Sequence, residues 1–69
     1  MEADRALRLP QVSAMTGLAR STIYALIANG EFPSPFKLSP GTSAWLESDV
    51  QTWLRGRVEA SRAAAAGAK

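Results

Sequence analysis

Within five residues, Arg20, Ser21, Thr22 and Tyr24 supply a guanidinium, two hydroxyls and a phenol. A guanidinium presents a fixed fork of donors that matches the acceptor edge of guanine or two oxygens of a phosphate. Serine and threonine hydroxyls reach phosphates or base edges. Tyrosine adds an apolar body with a polar tip. Further along, Lys37 adds a point charge. Such a set recognises an anionic, hydrogen-bonding surface; it transfers no group and moves no proton. The rest of the chain supplies no catalytic pair. It has no Cys and no His, which excludes disulfides, thiolate or imidazole zinc sites, and Ser-His or Cys-His nucleophiles. Glu47 and Asp49 stand beside a helix start without a third ligand, so they read as terminus charges rather than an acid pair. The expectation is a binding module and not an enzyme, with no cofactor, no metal and no small-molecule ligand.

Those side chains share a surface only if residues 18–29 are helical, and the pattern there is helical. Ile23, Leu26 and Ile27 fall at i, i+3, i+4 and make one apolar stripe. Asn29-Gly30 closes the segment, since both residues tolerate a positive φ. Ala19 stands where a capping side chain would help. Ahead of it, Gln11–Thr16 reads as a brief helix, with Pro10 at its first position and Val12 and Met15 on its inner side. Gly17 ends it. Two short helices meeting at a glycine make a helix–turn–helix. Leu7-Arg8-Leu9 reads as a short strand or extended lead-in.

Pro33, Pro35 and Pro40 exclude a helix between 31 and 46. Phe36–Leu38 and Ser43–Leu46 read as two strands around Ser39-Pro40-Gly41-Thr42, the signature of a type II turn. Ser48 and Gln51 have capping-box spacing for a last helix. Val50, Trp53, Leu54 and Val58 form its inner stripe. The fold class is thus mainly α with a small β-hairpin, a winged helix–turn–helix of three helices. The boundaries are a loose terminus over 1–6, the domain over 7–58 and an alanine-rich tail over 59–69 that frays or extends the helix.

Of 32 hydrophobic residues, 13 are alanine, so bulk is scarce. Trp45, Trp53, Phe32, Phe36 and Tyr24 are expected to supply much of it. Both tryptophans sit at patterned apolar positions and read as core rather than as base-stacking platforms. No apolar run approaches the about 20 residues of a membrane span, and none follows Met1–Arg5 as a leader would require. The cytoplasm is the expected location.

The formal net charge is +2, which permits an anionic partner without demanding one. Between Leu7 and Arg57 the basic residues are Arg8, Arg20, Lys37, Arg55 and Arg57, against Glu31, Glu47 and Asp49. About four of these cations on phosphates would give a salt slope near −3.6, while strong binders neutralise roughly six to ten. Weak binding by one copy is expected, aided by a dimer or by adjacent copies.

The run Thr16-Gly17-Leu18-Ala19-Arg20-Ser21-Thr22-Ile23-Tyr24 resembles the AlpA-like phage regulatory proteins, within the excisionase-like and MerR-type winged helix–turn–helix group. Gly30-Glu31-Phe32-Pro33-Ser34-Pro35-Phe36-Lys37-Leu38 continues the likeness, as do Trp45-Leu46-Glu47-Ser48-Asp49-Val50 and Trp53-Leu54. The resemblance implies a prophage-type transcriptional regulator that binds double-stranded DNA in the bacterial nucleoid. Its second helix, about 19–29, would enter the major groove and its wing would approach the minor groove. Arg20, Ser21, Thr22, Tyr24 and Lys37 are the DNA-binding residues expected on this reading. Two other functions compete. One is an excisionase-type factor that bends DNA for recombination. The other, from a different class, is a protein-interaction module with degenerate DNA binding.

Overall fold

Proline suits a helix start because its ring fixes φ and its missing N–H is no loss there. Around Pro10 the computed structural model, which describes residues 4–67, forms helix α1 over Leu9–Thr16. Gln11 reaches back, and its Oε1 accepts the Arg8 N–H at 2.8 Å. Gly17 ends α1 with a φ of 76°, and its N–H donates to the Ser13 carbonyl at 2.8 Å. Two hydroxyls then fix the turn. Ser13 Oγ donates to the Leu18 carbonyl at 2.6 Å. Thr16 Oγ1 donates to the Val12 carbonyl at 2.8 Å and accepts the Leu18 N–H at 3.2 Å.

Helix α2 spans Arg20–Ala28. It starts later than the expected residue 18, because residues 17–19 form the turn. Ala19 is its N-cap and makes no side-chain bond. The far end is a Schellman arrangement: Glu31 N–H reaches the Leu26 carbonyl at 2.8 Å and Gly30 N–H the Ile27 carbonyl at 3.0 Å. Gly30 takes a φ of 74° there.

Three strands follow the antiparallel order β1-β3-β2. They are β1 (Ala6–Leu7), β2 (Phe36–Ser39) and β3 (Thr42–Leu46). The expected hairpin is present, with Phe36 opposite Ala44 and Lys37 opposite Ser43. Its turn is not type II. That turn needs a positive φ at its second central residue, and only Gly17 and Gly30 have one among the described residues, not Gly41. Without it the strands splay, and the register slips between Lys37 and Ser39. The lead-in forms a true strand, pairing Ala6 with Leu46 and Leu7 with Trp45.

Helix α3 runs over Glu47–Gly67, beginning directly after β3 and carrying the alanine-rich segment as helix to its last described residue. Ser48 does not cap it as expected. The cap comes from Asp4, 44 positions away, whose Oδ1 accepts the Ser48 N–H at 3.1 Å. The Ser48 hydroxyl donates to Asp4 Oδ2, and Glu47 N–H donates to the Arg5 carbonyl at 2.8 Å. Residues 4–6 of the terminus expected to be loose are therefore tied to β3 and α3; Met1 to Ala3 lie outside the described residues.

The core is Leu7, Val12, Ile23, Phe32, Ala44, Trp45 and Val50. Leu9, Met15, Leu18, Leu26, Ile27, Trp53 and Leu54 pack around it, partly buried. Val58, expected on the inner stripe of α3, and Phe36, expected to supply bulk, are exposed; β2 has only one neighbouring strand among the described residues. Tyr24 is exposed too, which adds no bulk to the core but suits the outward position expected of it on the second helix. Among the described residues no helix is long and apolar enough to cross a membrane.

With so few large buried side chains, each carries much of the fold. Ile23 is fully buried, and Ile→Ala in a core costs about 2–5 kcal/mol. Ile23→Ala should unfold much of the population near room temperature, as read by far-UV circular dichroism; a thermal midpoint within a few degrees of wild type would contradict this. The Asp4 strap gives a pH test. Hydrogen bonds from the Ser48 hydroxyl and N–H hold the Asp4 carboxyl below its ordinary value of 3.8. A carboxylate depressed on folding stabilises above its unfolded value and loses that contribution as pH falls through the folded one. Asp4→Ala should lower the thermal midpoint at neutral pH, and the gap to wild type should close as the pH drops below 3.8. A gap that does not change with pH would show that the charge has no part in it.

Candidate nucleic-acid interface

Burial of Ile23 pins the inner side of α2, with Leu26 and Ile27 half-buried beside it. Arg20, Ser21, Thr22, Tyr24, Ala25 and Ala28 are consequently exposed. At about 100° per residue, Ser21, Ala25 and Ala28 occupy the middle of the outer face. Arg20 and Tyr24 lie on one flank and Thr22 on the other. The middle is small and the flanks are polar, a shape that admits close approach to a grooved surface. Neither Ser21 nor Thr22 caps the helix, which leaves both hydroxyls outward.

A cleft of 440 Å³ separates α2 from the β2–β3 hairpin. Arg8, Pro10, Arg20, Tyr24, Gly41 and Ser43 line it, above a floor of Leu9 and Trp45. The structure thus brings two of the expected site residues, Arg20 and Tyr24, into one cavity. Ser21 and Thr22 lie outside it. Lys37 stands opposite Ser43 in the hairpin register, and cross-strand partners share a sheet face. It therefore belongs to the hairpin surface that carries the cleft wall.

Arg8 and Ser43 are the cleft residues that the sequence pattern did not single out. Arg8 was readable: in an extended Leu7-Arg8-Leu9, a buried Leu7 turns the next side chain away from the core. Ser43 depended on the hairpin register and had no local signal.

The charges divide by role. Arg57 Nη2 lies 3.3 Å from Glu31 Oε1, and its guanidinium sits 5.2 Å from the Trp53 ring centroid. Arg5 lies 3.8 Å from Glu47. These two arginines are each paired with a surface glutamate. Arg8, Arg20 and Lys37 make no salt bridge among the described residues. Both tryptophans serve the fold. Trp45 Nε1 donates to the Pro33 carbonyl at 2.9 Å and Trp53 Nε1 to the Glu31 carbonyl at 2.6 Å. Phe32 meets Trp53 edge-on at 4.7 Å. The indoles hold the 31–33 loop and are committed away from base stacking. A second concavity, of 460 Å³, has Glu31, Asp49 and Trp53 in its wall; its carboxylates make it unsuited to anions.

The chain is similar to known proteins of phage and bacterial origin. The phage P4 protein "Uncharacterized protein ORF88" is 49% identical over 55 residues, covering 80% of this chain. The chain spans 62% of that relative's length. The "DNA-binding transcriptional activator AlpA" of Escherichia coli K12 is 36% identical over 61 residues, covering 80% of this chain and 87% of the relative. No solved structure matches. The profile of one family, "Prophage CP4-57 regulatory protein (AlpA)", matches residues 5–58, a stretch that holds α1, its glycine turn, α2, the hairpin and the base of α3. On that coverage the chain belongs to the AlpA family of prophage regulatory proteins.

Proposed function

We propose that this protein is a transcriptional regulator that binds double-stranded DNA, with α2 in the major groove and the β2–β3 hairpin beside it. The observation that carries the reading is the outer face of α2. Ser21, Ala25 and Ala28 leave room for base edges, while Arg20, Tyr24 and Thr22 supply donors at its flanks. The E. coli relative named a DNA-binding transcriptional activator supports it. Lys37 puts a positive charge on the hairpin where a second strand or the minor groove would pass. The protein then works at the bacterial chromosome, in the cytoplasm. Few cations are free to meet phosphates, so one copy binds weakly and neighbouring copies on DNA strengthen the complex.

Gel-shift titrations test this, using duplexes from the DNA flanking the protein's own gene and a random duplex, each at two salt concentrations. A preferred flanking duplex, with affinity falling as salt rises, is the expected result. No shift at low salt, or no preference over random sequence, would sink the reading. Ala25→Glu, at an exposed position, should leave the circular dichroism spectrum intact. It should weaken binding on the order of tenfold or more, because it sets a carboxylate against the polyanion. Unchanged affinity would remove α2 from the interface.

A further inference from the structure

We infer that the cleft between α2 and the hairpin clamps one phosphodiester of a duplex strand, held between the guanidiniums of Arg8 and Arg20. The inference rests on the DNA-binding reading above and assigns one part of that interface. Arg8 enters from the N-cap of α1 and Arg20 from the first turn of α2, so the glycine turn at Gly17 sets their relation. Both line the same cavity, and no carboxylate lines it with them. Elsewhere the fold behaves differently: Arg5 and Arg57 each have a glutamate. Two like charges facing one cleft repel until an anion lies between them. Tyr24 and Ser43 add hydroxyl donors to the same space. Beneath them, Leu9 and Trp45 form an apolar floor suited to deoxyribose carbons.

The position of Arg20 separates phosphate from base. It stands on the flank of α2 that faces the hairpin. The middle of the outer face, where base edges would lie, belongs to Ser21, Ala25 and Ala28. Arg20 therefore pins the strand, and its forked donors engage phosphate oxygens. Arg8 does the same from the opposite wall.

The test uses the full chain. A preferred duplex is selected from a random pool, and fluorescence anisotropy is recorded on it and on a random duplex across a range of salt. Arg8→Ala and Arg20→Ala should each weaken binding by a similar factor on both duplexes, and the double variant, which leaves the phosphodiester unneutralised, should have a log–log salt slope smaller by about 0.9. Arg55→Ala, outside the cleft, should leave the slope unchanged. Among single methylphosphonate linkages moved along one strand, the one at the clamped position should weaken wild-type binding and cost the double variant nothing further. An unchanged slope in the double variant, or a loss confined to the selected duplex, would overturn the clamp while leaving DNA binding in place. A wild type that binds neither duplex would overturn the DNA-binding reading and the clamp together.

Discussion

The burial of Trp45 on β3, the middle strand of the sheet, is the constraint on which the rest of the structure depends. Among the described residues β3 is the strand with two neighbours. Trp45 sits opposite Leu7 of β1 in that register and is almost wholly buried. Its ring packs in the same cluster as Val12 of α1, Ile23 of α2 and Val50 of α3. Its indole N–H meanwhile satisfies the Pro33 carbonyl, which anchors the proline-bearing loop leading into β2. One side chain thereby joins all three helices, the sheet and the loop. It also floors the cleft between α2 and the hairpin, so the spacing of Arg8, Arg20 and Ser43 follows from how the core is filled. In a chain with 13 alanines among its hydrophobic residues, Trp45 is one of the largest buried side chains. An aromatic ring of this size is worth several smaller residues in buried area.

Local signals were legible and distant ones were not. The apolar spacing of Ile23, Leu26 and Ile27, the glycines at 17 and 30, and the prolines between 33 and 40 act within a few residues, and each placed its element. The α2 face with Arg20 and Tyr24 followed from that spacing alone. The misreadings involve partners far along the chain. Ser48 looked like a cap because Gln51 is near it, yet Asp4 is the cap in space. The lead-in left strand and extended chain open, and pairing with β3 decided for a strand at Ala6–Leu7. Val58 keeps the helical stripe but is exposed. Pro40-Gly41 suits more than one turn type, and the hairpin register chose between them. Arg8 entered the cleft through the same long-range packing.

Charge placement explains why the net value of +2 is a poor guide. Acidic and basic groups are not spread evenly. Glu31 and Glu47 are held by Arg57 and Arg5, and these pairs are exposed enough to add little stability. Their effect is to remove two cations from circulation on the α3 side of the molecule. The unpaired Arg8, Arg20 and Lys37 then lie around one surface, where their fields add. The surface around α2 and the hairpin thus carries three cations without salt bridges among the described residues, without any basic run in the sequence.

That lean arrangement has a consequence for discrimination. Phosphate contacts supply nearly all of non-specific affinity for DNA, while base contacts and shape supply selectivity. With α2 against DNA as proposed, three unpaired cations near that helix would gain little from random duplex, so bulk DNA would not sequester the domain. Its preference for a given site would then come from the short outer face of α2, where Ala25 and Ala28 permit close approach and Ser21 offers one hydroxyl. A single such face would read few base pairs. Selectivity at the scale of a genome would then require several copies in register on adjacent sites, each with the same small contact, so that their preferences multiply. The weakness of one copy would be what makes such an array selective.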